Sequence, residues 1–393
     1  MISIVKIARI LLLLGLAICL TGTSLPAPGY AAEPEPLSTH ASASALIDVT
    51  SGRLLYSEDG DKPMLIASLT KIMTAIVAIE HGNLSGNVKT GKRAVGKEGS
   101  SIYLQLNEEM KLQDMLYGLM LRSGNDAATA IAEHVGGSEE GFVVLMNEKA
   151  AFLGMTNSQF KNPHGLDEKG HYSSANDLAK LTAYALRNPV FAKIVSTPVK
   201  QVPNPHEQWQ YKWVNKNKML QMYEGADGVK TGYTKQALRC LVSSATRGGQ
   251  QLAAVTLSDG DDWADHRHML DWGFEHYPLA QIAGKGQALT GYPYTVGQSF
   301  SYPLTEEEKG QLTSRLVVVN AATTRYALGE RGTLEWYMNG AKIGAVPIYD
   351  TGSSRLSLPE RKKIEADAFI NDGLGKENYL AAAGEAIRAL FKL

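Results

Sequence analysis

QALRCLVSSATRGGQQLAAVTLSDG, residues 236–260, carries two strand-like runs on either side of Arg247-Gly248-Gly249. Apolar and β-branched residues meeting at a short glycine turn predict a β-hairpin. Near the other end, SALIDVTSGRLLYSEDGDKPML, residues 44–65, reads as two more short strands joined around Ser51-Gly52. Between these sheet-forming ends lie apolar helical runs: Ser68 to about Glu80, Leu112 to Leu121, AATAIAEHVGG, Ser138 to Leu153 and Asn176 to Leu186. The last is opened by Ser174 and Asp177 at capping-box spacing. A helix from about Asp262 to Phe274 follows the hairpin. Strands at both ends with helices between them predict an α/β domain, residues 40–277, whose terminal strands share one sheet.

The chain has 393 residues, room for a substantial core and for more than one domain. Composition changes after about Pro278, where SRLVVV, LEWYMN and AKIGAVPIY alternate with turn residues. These predict a small β-rich domain over residues 290–360, read as a spacer or docking surface. The tail, residues 370–393, places Leu380, Ala383, Ile387, Leu390 and Phe391 near one helical face. That pattern fits an amphipathic helix lying on a membrane surface, the alternative being a terminal helix docked on its own protein.

The first residues combine Lys6 and Arg9 with an apolar run from Ile10 to Leu20 and small residues near Ala31 and Ala32. This is the layout of a cleaved secretory signal peptide, residues 1–31, with a retained anchor as the alternative. Cys19 is a poor lipidation site because Ile18 precedes it. Beyond the leader only Cys240 remains, so no internal disulfide is available; within ALRCLVSSA it reads as a buried small hydrophobe. The histidines form no metal-ligand pattern, and His266 and His268 lack the spacing that puts two ligands on one helical face. No metal or cofactor is expected. A formal net charge of −1 gives no reason to expect a nucleic-acid partner.

The chemistry is concentrated at the start of the helix IASLTKIMTAIVAIE, residues 66–80. One helical turn sets Ser68 and Lys71 side by side, a nucleophile beside a group able to take its proton. The turn's unpaired amides can stabilise negative charge developing on an attacked carbonyl. Short motifs recur, so context has to select among them. S-x-x-K also occurs at Ser3 and Ser158, S-x-N at Ser123 and Ser174, and K-T-G at Lys89 and Lys230. Ser3 leaves with the leader, Pro163 prevents a helix after Ser158, and Ser174 already serves as a cap. Lys89 lies in a polar stretch with little to hold it rigid, whereas Lys230 precedes the hairpin. The selected set is therefore Ser68 with Lys71, Ser123 with Asn125, and Lys230-Thr231-Gly232.

In that order the three motifs resemble the penicillin-binding serine enzymes. Within them the chain is similar to the low-molecular-mass D-alanyl-D-alanine carboxypeptidases, peptidase family S11. NPHGLD from Asn162, SSANDLAKL from Ser173, VKTGYT from Val229 and DWGF from Asp271 strengthen the likeness. It implies a serine β-lactamase/penicillin-binding (transpeptidase-like) α/β domain with a helical subdomain. It also implies an exported enzyme on the extracytoplasmic face of the bacterial membrane, acting on peptidoglycan stem peptides that end in D-Ala-D-Ala and acylated by β-lactams. By the same resemblance, Ser68 attacks, Lys71 is the base, Ser123 passes a proton to the leaving amine, and Asn125 positions Lys71 and the substrate amide. Lys230 and Thr231 would bind the terminal carboxylate, and Gly232 would let substrate backbone approach. The amides of Ser68 and Tyr233 would hold the oxyanion. Gly124 in the middle motif, and Asp167 and Glu168 as the acidic residues of the nearby loop, fit carboxypeptidases better than class A β-lactamases. The alternatives are a D,D-endopeptidase or transpeptidase using the same acyl-enzyme, and a non-catalytic wall-binding module.

Overall fold

The computed structural model describes residues 36–357. The leader and the tail segment 370–393 lie outside the described residues. From the N-terminal side, strand β1 (Ala41–Asp48) turns into β2 (Leu54–Glu58), and a single 3-10 turn, Ala67–Leu69, feeds helix α1 (Thr70–His81). Helical segments and two short strand pairs come next. They are β3 (Asn87–Lys89) with β4 (Glu109–Lys111), helix α2 (Leu112–Tyr117), α3 (Asn125–Gly136), α4 (Glu139–Phe152), α5 (Ala175–Leu186), α6 (Pro189–Ser196), and β5 (Val199–Val202) with β6 (Tyr211–Val214). The chain then returns to the main sheet through β7 (Ala226–Thr234), β8 (Leu238–Arg247) and β9 (Gln250–Asp259), and closes with α7 (Asp262–His276).

The main sheet runs β2-β1-β9-β8-β7, all antiparallel, so the N-terminal strand pairs with the distal arm of the hairpin as expected. Gly248 and Gly249 turn the hairpin at φ of +55° and +83°, the left-handed geometry that matches strand twist and that glycine adopts without a side-chain penalty. Alternation along the strands divides the core. Ala43, Ala45, Ile47, Val242, Ala253 and Val255 face the helical layer with α1, whereas Leu46, Ala245, Leu252 and Ala254 meet Met269 and Leu270 of α7. Burial on both faces explains why these strands read as nearly continuous apolar runs. At Gly273 a Cβ would lie 2.6 Å from Leu46 Cδ2 and 2.7 Å from Leu252 Cδ1, so α7 packs close to the sheet only without a side chain there. Helix α1 is buried from Thr70 to Ala78, the environment of a helix apolar on all sides.

Three local expectations change. Ser68 lies in the turn ahead of α1 rather than in the helix itself. Lys230 lies inside β7, on a strand that the glycine-interrupted, polar run KTGYT does not announce. Only half of the capping box forms at α5: Ser174 Oγ accepts from Asp177 N at 3.2 Å, but the Asp177 carboxylate instead accepts from Asn157 N and Ser158 Oγ.

Beyond α7, β10 (Leu279–Ala283) pairs with β12 (Phe300–Pro303), while β11 (Tyr294–Val296), β13 (Thr313–Val318), β14 (Glu330–Met338) and β15 (Ala341–Asp350) form a sheet in the order β11-β15-β14-β13. Strand structure thus begins at Leu279. Its small core contains Ala283, Val296, Trp336 and Val346, with Phe300 stacked on Trp336 at 4.9 Å. Arg53 joins this β-rich part to the main sheet. Its guanidinium donates to Pro303 O at 2.6 Å, pairs with Glu308, and lies 5.0 and 5.5 Å from the ring centres of Tyr277 and Tyr302.

Candidate active site

Ser68 is partly exposed between buried Ala67 and Leu69. Ala67 has a φ of +46°, a conformation that costs a residue with a Cβ about 1–2 kcal/mol. Strain of this kind is kept where neighbours overdetermine the backbone. Thr70 Oγ1 donates to Ala67 O at 2.9 Å and also lies 2.8 Å from His171 Nε2.

Gly165 presses on the same turn. It has a φ of +85°, and a Cβ on it would fall 1.9 Å from Ala67 O. Gly165→Ala is therefore expected to cost about 2 kcal/mol or more. A thermal melt checks this, and an unchanged midpoint would mean the two segments do not press on one another.

Lys71 is fully buried, and its Nζ lies 3.1 Å from Ser68 Oγ, 2.7 Å from Asn125 Oδ1 and 2.6 Å from the main-chain oxygen of His164. Two of these partners can only accept. A neutral amine would spend both hydrogens on Asn125 and His164, leaving its lone pair toward the Ser68 hydroxyl. Burial, and then the nearby positive charges of Lys230 and Lys216, hold the Lys71 pKa well below the usual lysine range, which makes that neutral form accessible.

Asn125 is held from both sides, as the first residue of α3. Its Nδ2 donates to Glu98 O at 2.6 Å, and its main-chain N–H donates to Ser100 O at 2.7 Å. Buried Asp126 fixes the same loop by accepting from Ser101 Oγ at 2.6 Å and from the amides of Ile102 and Leu104 at 3.1 Å. Ser123 ends the π-helical turn Gly118–Arg122 in a left-handed conformation, φ +64°, and is 4% exposed. Among the described residues its hydroxyl makes no direct hydrogen bond to Ser68 or Lys71.

Strand β7 is one of the two edges of the main sheet, the other being β2. At Gly232 a Cβ would be 3.2 Å from both Ser68 N and Ile66 O, so the strand passes against the nucleophile's turn where any side chain would crowd it. Lys230 is buried, and its Nζ donates to Thr231 O at 2.8 Å. Burial first, and Lys216 second, lower its pKa to about 7. Tyr233 is 64% exposed, and Thr234 Oγ1 ties the strand to Asp167 at 2.9 Å.

The other motif copies lie elsewhere. Ser158 bonds Ser173 Oγ and Asp177 outside any helix. Lys89-Thr90-Gly91 is more ordered than its composition implies, because β3 pairs with β4 and the Thr90 amide donates to Glu108 O. Cys240 is buried and free, and burial pushes its thiol pKa up to about 12.

Sequence reasoning missed Lys216, whose Nζ donates to Ser100 Oγ at 3.1 Å. It also missed the main-chain oxygens of His164 and Glu98. NPHGLD marks the loop containing His164, but carbonyl contributions leave no residue-type signal, and NKNK around Lys216 resembles any polar loop.

A family model described as D-alanyl-D-alanine carboxypeptidase, Peptidase_S11, matches residues 30–261. DacF of Bacillus subtilis, a D-alanyl-D-alanine carboxypeptidase, is 36% identical over 280 residues, spanning 69% of this chain and 72% of the relative. DacC of Escherichia coli, of the same description, is 30% identical over 81% of this chain and 86% of its own length. Among solved structures, penicillin binding protein 5 from Haemophilus influenzae aligns with a TM-score of 0.66 at 26% identity, covering 80% of this chain and 97% of that one. A D-alanyl-D-alanine carboxypeptidase from Mycobacterium tuberculosis aligns at 0.60 with 32% identity, over 63% and 96%. The α/β fold is that of the penicillin-binding, transpeptidase-like proteins.

Proposed function

The chain belongs to the D-alanyl-D-alanine carboxypeptidase family, peptidase family S11, and is a serine-type D-alanyl-D-alanine carboxypeptidase; from that premise we propose that Ser68 is its nucleophile and Lys71 its general base. The observation that carries this reading is the Lys71 amine held by Asn125 and His164 with Ser68 Oγ at 3.1 Å. Lys71 takes the hydroxyl proton as Ser68 Oγ bonds to the carbonyl carbon between the last two D-alanines of a peptidoglycan stem. The amides of Ser68 and Tyr233 receive the oxyanion, and as the C–N bond breaks Ser123 hands a proton to the leaving amine and takes back the one that Lys71 carries. D-alanine departs, and water releases the shortened peptide from the acyl-enzyme. An extended substrate laid along the edge of β7 gains main-chain partners there, with Gly232 leaving room for its backbone. Lys230 and Thr231 hold the terminal carboxylate, with Lys216 adding positive charge nearby. β-Lactams, which mimic acyl-D-Ala-D-Ala, acylate Ser68 by the same route.

The direct test incubates the purified protein with a muramyl pentapeptide and measures D-alanine. Cleaved or newly made bridges in cross-linked wall fragments, without D-alanine release from the pentapeptide, would instead indicate an endopeptidase or transpeptidase.

A pH dependence follows. Lys71 must be neutral to accept a proton, so kcat/KM falls as pH drops through its lowered pKa. Lys230 must be charged to hold a carboxylate, so kcat/KM falls again as pH rises above about 7. A substrate whose terminal carboxylate is converted to an amide should lose the alkaline limb and keep the acid one. Identical alkaline limbs for both substrates would remove Lys230 from carboxylate binding.

We further propose that residues 1–31 are an export leader, that 40–277 and 290–360 are catalytic and accessory domains, and that 370–393 lies on the outer face of the cytoplasmic membrane. Among the described residues no helix is long and apolar enough to cross a membrane. Deleting Tyr379 to Leu393 is expected to move the protein from the membrane to the soluble fraction with peptide hydrolysis preserved, as fractionation would reveal; unchanged pelleting would refute the anchor.

A further inference from the structure

We propose that Glu139 is a positioning residue for the general base: its carboxylate receives the Nε2–H of His164 and fixes the residue whose main-chain oxygen holds Lys71. The inference rests on the reading of Lys71 as base.

His164 is 5% exposed, and its main-chain oxygen is the shortest contact of the Lys71 amine, at 2.6 Å. Its ring is anchored on one side only. Nδ1 accepts from the Leu166 amide at 3.3 Å, a long bond that favours the proton of the neutral ring on Nε2 but leaves the other side of the ring to hold it there. Burial lowers the His164 pKa, so the ring is neutral at ordinary pH and its tautomer is what must be set. The buried Nε2 makes no hydrogen bond among the described residues, yet it lies 3.4 Å from Glu139 Oε1. At that separation the contact is looser than a well-formed hydrogen bond. What remains is a buried donor facing a carboxylate a few tenths of an ångström beyond full bonding distance. An unmet buried donor is costly, so closing that gap is favourable.

Glu139 is placed for this by the fold. It is the first residue of α4, where Ser138 caps the helix by accepting from Gly141 N at 2.9 Å. Its second oxygen lies 3.4 Å from Lys97 Nζ, and His164 and Lys97 together hold its carboxyl below the usual range. The rest of the His164 loop is independently fixed: Asn162 accepts from Gly165 N at 2.7 Å and donates to Leu166 O and Glu168. Glu139 therefore acts on the ring and its carbonyl rather than on the existence of the loop.

The test compares Glu139→Ala and Glu139→Gln with the parent protein by penicillin acylation rate and by nitrogen NMR of the His164 ring. Gln retains an oxygen that can accept from Nε2–H, and Ala does not. Glu139→Ala is expected to acylate about ten-fold more slowly, with unchanged affinity for the encounter complex and a mixture of ring tautomers. Glu139→Gln should restore the Nε2–H tautomer and most of the rate. A parent-like rate and tautomer in Glu139→Ala would overturn the proposal, as would a Glu139→Gln protein as slow as Glu139→Ala with its tautomer intact. Undiminished acylation in Lys71→Met would instead overturn the underlying assignment of the base, and the ring NMR is read independently of that result.

Discussion

Ser68→Ala is expected to lower D-alanine release from a pentapeptide by about 10⁴-fold or more and to abolish penicillin labelling, with the thermal unfolding midpoint close to that of the parent. The size follows from what is removed: without the hydroxyl no acyl-enzyme forms, and only binding and oxyanion stabilisation remain to assist water. Folding should tolerate the change because Ser68 is partly exposed and, among the described residues, its side chain makes a hydrogen bond only with Lys71, at 3.1 Å. A stopped assay for D-alanine and a labelled-penicillin gel measure the two effects together. Release at the parent rate would remove Ser68 from the mechanism, whatever else the cleft contains.

Lys71→Met is expected to slow acylation by on the order of 10³-fold, within the range contributed by a positioned general base. Methionine fills similar space but cannot take the Ser68 proton. Lys71→Arg separates proton transfer from charge: arginine keeps the cation but does not deprotonate in proteins, so it should be about as slow as methionine. If arginine restored the parent rate, the role of Lys71 would be electrostatic, and the lone-pair geometry argued from Asn125 and His164 would lose its purpose. The acid limb of the pH profile should also vanish in Lys71→Met, because the group whose protonation produces it has gone.

The sheet was legible because its evidence is local. Gly248-Gly249 between two apolar runs specifies a hairpin, and strand-forming runs at both ends leave few ways to bury them other than side by side. The Ser68 and Lys71 pairing was legible for the same reason, one helical turn being enough to bring the two together. Neighbouring features were not. Ala67 has a positive φ and its carbonyl lies so close to Gly165, nearly a hundred positions later, that a side chain there would collide with it, and nothing near residue 67 encodes that. The strand holding Lys230 was hidden by a glycine and polar residues that suit a substrate-facing edge better than a core. The order around Lys89 depends on pairing with β4, some twenty residues away, so composition alone ranked it too low. Lys216 acquires meaning only through the fold, which brings it near two buried lysines and lowers the pKa of both.

Treatment with penicillin followed by proteolysis and mass spectrometry tests the central assignment most directly. The penicilloyl mass should appear on the peptide containing Ser68, in one-to-one amount, and not on peptides containing Ser123, Ser158 or Ser174. Stable modification at any of those three serines with Ser68 left unmodified would contradict the account.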